Sequence, residues 1–202
     1  MDEKKRMQQE RLEKQLAFSL EIDKEKEIGR QTLLADASRA ENDAEHAWHM
    51  AIMVFLLKEY SNQEIDVMRT MQLCLIHDLV EIYAGDTYAY DEEGKKSQKE
   101  REAKAEEKLF SMLPDDQGDY MRELFHEFEA YETPEAKFAR AMDNLQPLLL
   151  NHSNGGSDWR EHGVSIEQVR GRQEKTKLGS EALYDITNQI MEENLKKGNL
   201  KP

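Results

Sequence analysis

A chain of 202 residues with 42 Asp or Glu against 28 Lys or Arg carries a formal net charge of −14. That balance excludes a nucleic-acid polymer as the expected partner, because phosphate backbones recruit clustered positive charge. One cysteine, Cys74, excludes an internal disulfide framework and a cysteine-built zinc site, and the apolar run around Ala51 to Leu57 is far short of the roughly 20 residues that span a bilayer.

With four prolines and ten glycines, and no sustained two-residue alternation, the chain reads as all-α. Residues 4–28 read as a first helix in dense mixed charge, with Leu12, Leu16 and Leu20 as a narrow stripe. We take residues 1–27 as a charged N-terminal helix, an arm or a docked extension, ahead of one domain over 28–202. Further helices are expected over 43–60, 63–84, 95–113, 117–131, 134–151, 165–176 and 180–196. Ser61, Thr133-Pro134 and Ser180 supply start signals. The charge run Asp91 to Lys108 reads as a solvated helix beside a loop, and Asn154 to Asp158 as a flexible connector. Polar residues follow Met1 where a signal peptide would place its apolar core, so a cytoplasmic protein without membrane contact is expected.

The chemistry shows where charge interrupts apolar helices. Leu73 to Ile82 contains His77, Asp78 and Glu81, which on one continuous helix share an arc of roughly 100°. His46 heads the apolar stripe Met50, Met53, Leu57 of a second helix, and Asp143 sits among core-type residues of a third. Pro147, four residues after Asp143, should bend or open that helix at the carboxylate. Buried carboxylates are normally paired or bound to a cation. Two imidazoles and two carboxylates suit one divalent first-row metal, Mn²⁺, Co²⁺ or Fe²⁺, with Mg²⁺ or Zn²⁺ less well matched.

The order His46 … His77-Asp78 … Asp143 resembles the signature of HD-domain metal-dependent phosphohydrolases. The segments Arg30-Gln31-Thr32, Ser38 to His46 and His77 to Asp86 resemble, within that superfamily, the branch of bacterial 5′-deoxynucleotidases. The resemblance implies an HD-domain helical bundle, commonly dimeric, that uses a divalent metal to remove phosphate from deoxyribonucleoside 5′-monophosphates. It implies His46, His77, Asp78 and Asp143 as metal ligands and Glu81 as the carboxylate handling the nucleophilic water. It also implies Arg30 near the phosphate and Asp86 in the substrate site. Where the branch has tryptophan after the arginine, this chain has Gln31, which should weaken discrimination between deoxyribose and ribose.

Arg39 is a second candidate phosphate grip, since a guanidinium can hold two oxygens at once, and Asp86 could relay a proton or bind a sugar hydroxyl. Rival readings are hydrolases of triphosphates, alarmones or cyclic nucleotides, and a metal- or nucleotide-binding module without turnover. His49 reads as packing or surface, His152 and His162 as solvated, and Cys74 as a small core residue. Glu123-x-x-His126 has the di-iron spacing but no second such pair on an apolar helix.

Overall fold

The computed structural model describes residues 3–91 and 93–202. Met1 and Asp2 of the N-terminal segment, and Glu92 of the expected charge run, lie outside the described residues. The helices are α1 (Glu3–Glu21), α2 (Asp43–Leu57), α3 (Val67–Ile76), α4 (Glu81–Ala84), α5 (Lys95–Phe110), α6 (Asp115–Ala130), α7 (Pro134–Ser153), α8 (Ser157–His162), α9 (Ile166–Gln173), α10 (Thr176–Gly179) and α11 (Glu181–Lys196). Two short antiparallel strands, β1 (Gly29–Leu33) and β2 (Ala40–Asn42), join Gly29 to Asn42 and Leu33 to Ala40.

Helix α7 is the axis of the bundle. Thr133 caps it through Oγ1, which accepts from Ala136 N at 3.1 Å, and Pro134 takes the first turn, where no amide donor is needed. Phe138, Met142 and Leu145 are buried in the main core with Met50 and Val54 of α2, Leu73 of α3 and Met191 of α11. Each such side chain contributes on the order of 1.5–3 kcal/mol by leaving water. Gly179 lets α10 ride against α7, because a Cβ there would stand 2.3 Å from the carbonyl oxygen of Lys137. A second cluster seats α1: Phe18 packs with Leu79, Val80, Leu109, Phe110 and Phe125. Arg11 pairs with Asp116 at 2.6 Å, and Tyr83 donates to Glu21. Leu12, Leu16 and Leu20 are exposed, so the stripe seen in sequence is not the docking face.

Several expected boundaries shift. The first helix stops at Glu21 and continues as a 3-10 turn over Ile22–Glu27. Residues 29–42, which had no assigned element, form the hairpin, because tertiary pairing stabilises strands too short to show a pattern. The expected helix over 63–84 begins only after the Asp66 cap and ends at Ile76. Tighter bonds, Leu79 N to Ile76 O and Glu81 N to Asp78 O, then carry the chain into α4. Asn154 to Asp158 is not a free connector. Gly155 and Gly156 adopt φ of +75° and +70°, α8 starts at Ser157, and Asp158 and Trp159 are buried. No helix among the described residues is long and apolar enough to cross a membrane.

Candidate active site and family

Helix α2 starts where it does because Asn42 and Glu45 form a reciprocal cap. Asn42 Oδ1 accepts from Glu45 N at 2.9 Å, and Glu45 Oε2 accepts from Asn42 N at 3.1 Å. That cap sets the register that turns His46 fully into the core. Its Nδ1–H donates to Gln146 Oε1 at 2.8 Å, while Gln146 Nε2 donates to Glu41 Oε1 at 2.8 Å and to His49 Nδ1 at 3.1 Å. With the amide so oriented, the proton of His46 belongs on Nδ1, and Nε2 presents a bare lone pair. Burial, then the Arg30 charge, lowers the His46 pKa to about 4.

His77 is held the same way. Its Nδ1–H donates to Cys74 O at 2.9 Å, leaving Nε2 without an aligned hydrogen-bond partner. His46 Nε2 lies 3.3 Å from Asp143 Oδ1, and His77 Nε2 lies 3.0 Å from Asp78 Oδ2. A lone pair facing a carboxylate oxygen is repulsive unless something positive sits between them. Donor atoms of His46, His77 and Asp143 also lie within 4.8 Å of one another. His46, His77 and Asp143 therefore fit a divalent cation with nitrogen and oxygen ligands, while Asp78, which touches His77 Nε2, falls in a neighbouring acidic group. Burial opposes the charged form of His77, but the neighbouring Asp78 outweighs it and raises its pKa, so a proton competes with a cation for Nε2.

A second acidic group, Asp43, Asp78 and Glu81, adjoins the first. Arg30 Nη1 bridges two of its members, 3.1 Å from Asp43 Oδ1 and 2.9 Å from Asp78 Oδ2. The guanidinium thus supplies the charge that a second metal would. Burial, then Asp78, pushes Asp43 up to about 7 and Glu81 well above the usual carboxyl range. The opposite holds at Asp143, where burial is outweighed by Arg172, the His46 hydrogen bond and Arg140, and the carboxyl stays well below that range.

These groups open on a cavity of about 530 Å³, lined by Arg30, Gln31, His77, Asp78, Glu81, Asp86 and Asp143 among others. That size is typical of small-molecule sites, roughly 300–1,000 Å³. Gly85, at φ +75°, turns the chain after α4 so that Asp86 reaches the cavity. Arg39 does not reach it. Its guanidinium is exposed and pairs with Glu45 at 2.5 Å, drawn outward by the carboxylate that caps α2. His77, Asp78 and Glu81 do not share one continuous helix as expected, since a tightened turn joins α3 to α4, yet all three line the same cavity.

Helix α7 does not break at Pro147; the Asp143 carbonyl, deprived of a helical donor, accepts from Arg172 Nη2 at 3.3 Å instead. Sequence reasoning missed Glu41, Asp43, Gln146, Arg140 and Arg172. Gln146 and Arg140 flank Asp143 at helical spacing and were findable; Arg172 arrives from α9, and no local pattern announces it. Among the other histidines, His126 pairs with Glu106 at 2.9 Å, and His152 Nδ1 meets Asn194. His162 is not simply solvated: its ring packs against Tyr88 in a tilted contact at 4.7 Å between centroids. Cys74 is buried.

The family model described as HD domain matches residues 22–184, a span that contains the site groups from Arg30 to Arg172. The chain belongs to the HD domain family. In a crystal structure from Magnetospirillum magnetotacticum, described as a predicted metal-dependent phosphohydrolase, this HD protein has a neighbour with TM-score 0.91 and 46% identity. That match covers 95% of this chain and 96% of the other. Among curated proteins, the HD chain is similar to 5′-deoxynucleotidase HDDC2 of Homo sapiens, 29% identical over 114 residues, 56% of this chain and 54% of the relative. To 5′-deoxynucleotidase HDDC2 of Danio rerio it is 31% identical over 113 residues, 55% and 54% of the two chains. The chain thus spans about half the length of the curated relatives it matches.

Proposed function

We propose that this HD protein is a metal-dependent phosphomonoesterase that hydrolyses nucleoside 5′-monophosphates, deoxynucleotides included, to nucleoside and phosphate. The observation that carries the reading is the pair of imidazole nitrogens, His46 Nε2 and His77 Nε2, set against the Asp143 and Asp78 carboxylates, with His77, Asp78 and Asp143 lining the cavity and His46 buried directly behind them. The names of the curated relatives support the choice of substrate class.

His46, His77, Asp78 and Asp143 would hold Mn²⁺, Co²⁺ or Fe²⁺, which when bound lowers the pKa of a water and neutralises a phosphate oxygen. Arg30 fixes Asp78 and Asp43 and turns its charge toward a substrate phosphate that carries about two negative charges near neutral pH. Glu81 orients the attacking water and takes its proton, with Asp43 beside it to share that proton. As the new P–O bond forms, the P–O5′ bond breaks and the 5′-oxygen leaves with a proton, for which Asp86 is the donor on the cavity side. Gln31, on β1, faces the sugar.

Residues 1–27 act as a docked extension of the domain, because Phe18 and Glu25 are buried against it. A homodimer is supported by the exposed apolar residues Trp48, Ile52, Phe55 and Leu56 of α2 and Met68 and Leu75 of α3. A cytoplasmic location suits the single buried thiol.

The test is phosphate release from a nucleotide panel by chelator-treated protein with each metal restored. Release from 5′-monophosphates is the expected result. Release only from triphosphates, cyclic nucleotides or alarmones would transfer the reading to those classes, and metal binding without any release would make the protein a binding module. Light scattering tests the dimer separately.

A further inference from the structure

Helix α7 forms one wall of the cavity through Asp143, Asn144, Pro147, Leu148 and Asn151, spaced as a single helical face. Asp143 stands at the metal end. Asn151 stands eight residues on, about 12 Å along the axis. Both asparagines are buried, and the network around each fixes which way its amide points. Asn144 Oδ1 accepts from Arg172 Nε at 3.2 Å, which leaves Nδ2 with no partner. Asn151 Nδ2 donates to Pro147 O at 3.2 Å and to Asp158 Oδ2 at 3.3 Å, which leaves Oδ1 with no partner. Reversing either amide would set donor against donor or acceptor against acceptor, so these orientations are the stable ones.

A buried amide atom without a partner costs on the order of 1–3 kcal/mol, and such atoms in native proteins call for an explanation. Here the orphans are complementary, one donor and one acceptor, on the face that leads away from the metal ligands. Around the far amide stand Asp158 and Tyr88, whose hydroxyl donates to Asp158 Oδ1 at 2.8 Å, and Tyr88 meets Tyr90 edge-on at 5.3 Å and His162 in a tilted contact at 4.7 Å. Aromatic faces beside an unpaired acceptor suit a flat heterocycle that carries an N–H.

We propose that Asn144 and Asn151 form the nucleoside-recognition pair of this site: Asn144 Nδ2 donates to a sugar oxygen and Asn151 Oδ1 accepts from an N–H of the base. The proposal rests on the nucleoside 5′-monophosphate reading above and makes the nucleoside, not only the phosphate, a determinant of turnover. It accounts for both orphaned atoms and for their order along α7, sugar next to the metal and base beyond it. Every natural base offers an N–H donor, so the pair selects nucleotides over simple sugar phosphates without selecting one base.

The experiment compares kcat/KM for thymidine 5′-monophosphate with its N3-methyl analogue, which has lost the N–H, in wild type and Asn151→Ala. Wild type should lose roughly 10- to 100-fold on methylation, the cost of one unpaired buried acceptor, and Asn151→Ala should lose little. An equal loss in both proteins, or no loss in wild type, would overturn the assignment. Independently of turnover and of the variant's folding, unphosphorylated thymidine added to the wild-type protein should shift the side-chain amide NMR signals of Asn144 and Asn151. Shifts without phosphate release from any monophosphate would keep this site and remove the reaction; phosphate release without shifts would keep the reaction and remove this site.

Discussion

Arg172 Nη2 lies 3.3 Å from the main-chain oxygen of Asp143 and 3.2 Å from its side-chain Oδ1, so one guanidinium holds both the backbone and the carboxylate of a candidate metal ligand. The contact exists because Pro147 has no N–H to give the Asp143 carbonyl. Helix α9 thus repairs a defect in α7 and orients the site in the same contact. Arg172→Lys keeps the charge and loses the fork. Metal affinity should fall about 10-fold with the fold intact, measured by competition with a coloured chelator; an unchanged affinity would mean α7 alone positions Asp143.

Gln146 is the corresponding support for His46. In Gln146→Leu the Nδ1–H loses its acceptor, and Glu41 loses the amide that donates to it. The proton should redistribute to Nε2 in part of the population, with metal affinity down roughly 10- to 100-fold. Nitrogen-15 NMR of the metal-free protein reads the tautomer directly, and a His46 signal identical to wild type would contradict the expectation.

Glu81→Gln keeps the shape of a buried side chain while removing its basic oxygen. Metal content and melting behaviour should stay close to wild type, and kcat should drop by about 100-fold or more. Wild-type kcat in the metal-loaded variant would take Glu81 out of the proton transfer.

Gln31→Trp tests the sugar pocket. An amide on β1 can accommodate a 2′-hydroxyl, whereas an indole would fill the space and leave that hydroxyl unpaired. The ratio of kcat/KM for deoxy over ribo monophosphates should rise in the variant, mainly through the ribonucleotide. A wild type that already rejects ribonucleotides strongly would assign sugar selection to another residue.

Glu25, buried below the site, has its pKa raised from 4.5 to about 7 by burial and then by the charges of Asp78 and Asp43. A carboxyl raised in the folded state stabilises the fold fully below its unfolded pKa, and that contribution is lost as pH rises through the folded value. Glu25→Gln, which cannot ionise, should therefore gain on wild type between about pH 5 and about pH 8, by at most about 3 kcal/mol. Denaturant midpoints of the metal-free proteins at both pH values check it. A difference that does not change with pH would mean Glu25 is not held in the protonated form.

By itself the sequence determined the helical class and the charged groups that could not be ordinary core. His46, His77 and Asp143 each stand at a core position of an apolar helix, and periodicity reports burial of a position whatever residue fills it. Thr133-Pro134 and Ser180 marked true helix starts because capping is a contact between near neighbours. Only the tertiary structure decided that Arg39 faces solvent, that residues 29–42 pair as a hairpin, and that His77 and Glu81 are separated by a tightened turn. It alone decided that Arg172 reaches Asp143 from α9 and that two buried amides on the cavity-lining α7 are left without partners. Several of these features depend on contacts between distant parts of the chain, such as Arg172 to Asp143, 29 positions apart, and Gln146 to Glu41, 105 apart. Local pattern carries no record of such contacts, because the free energy that fixes them comes from packing one helix against another.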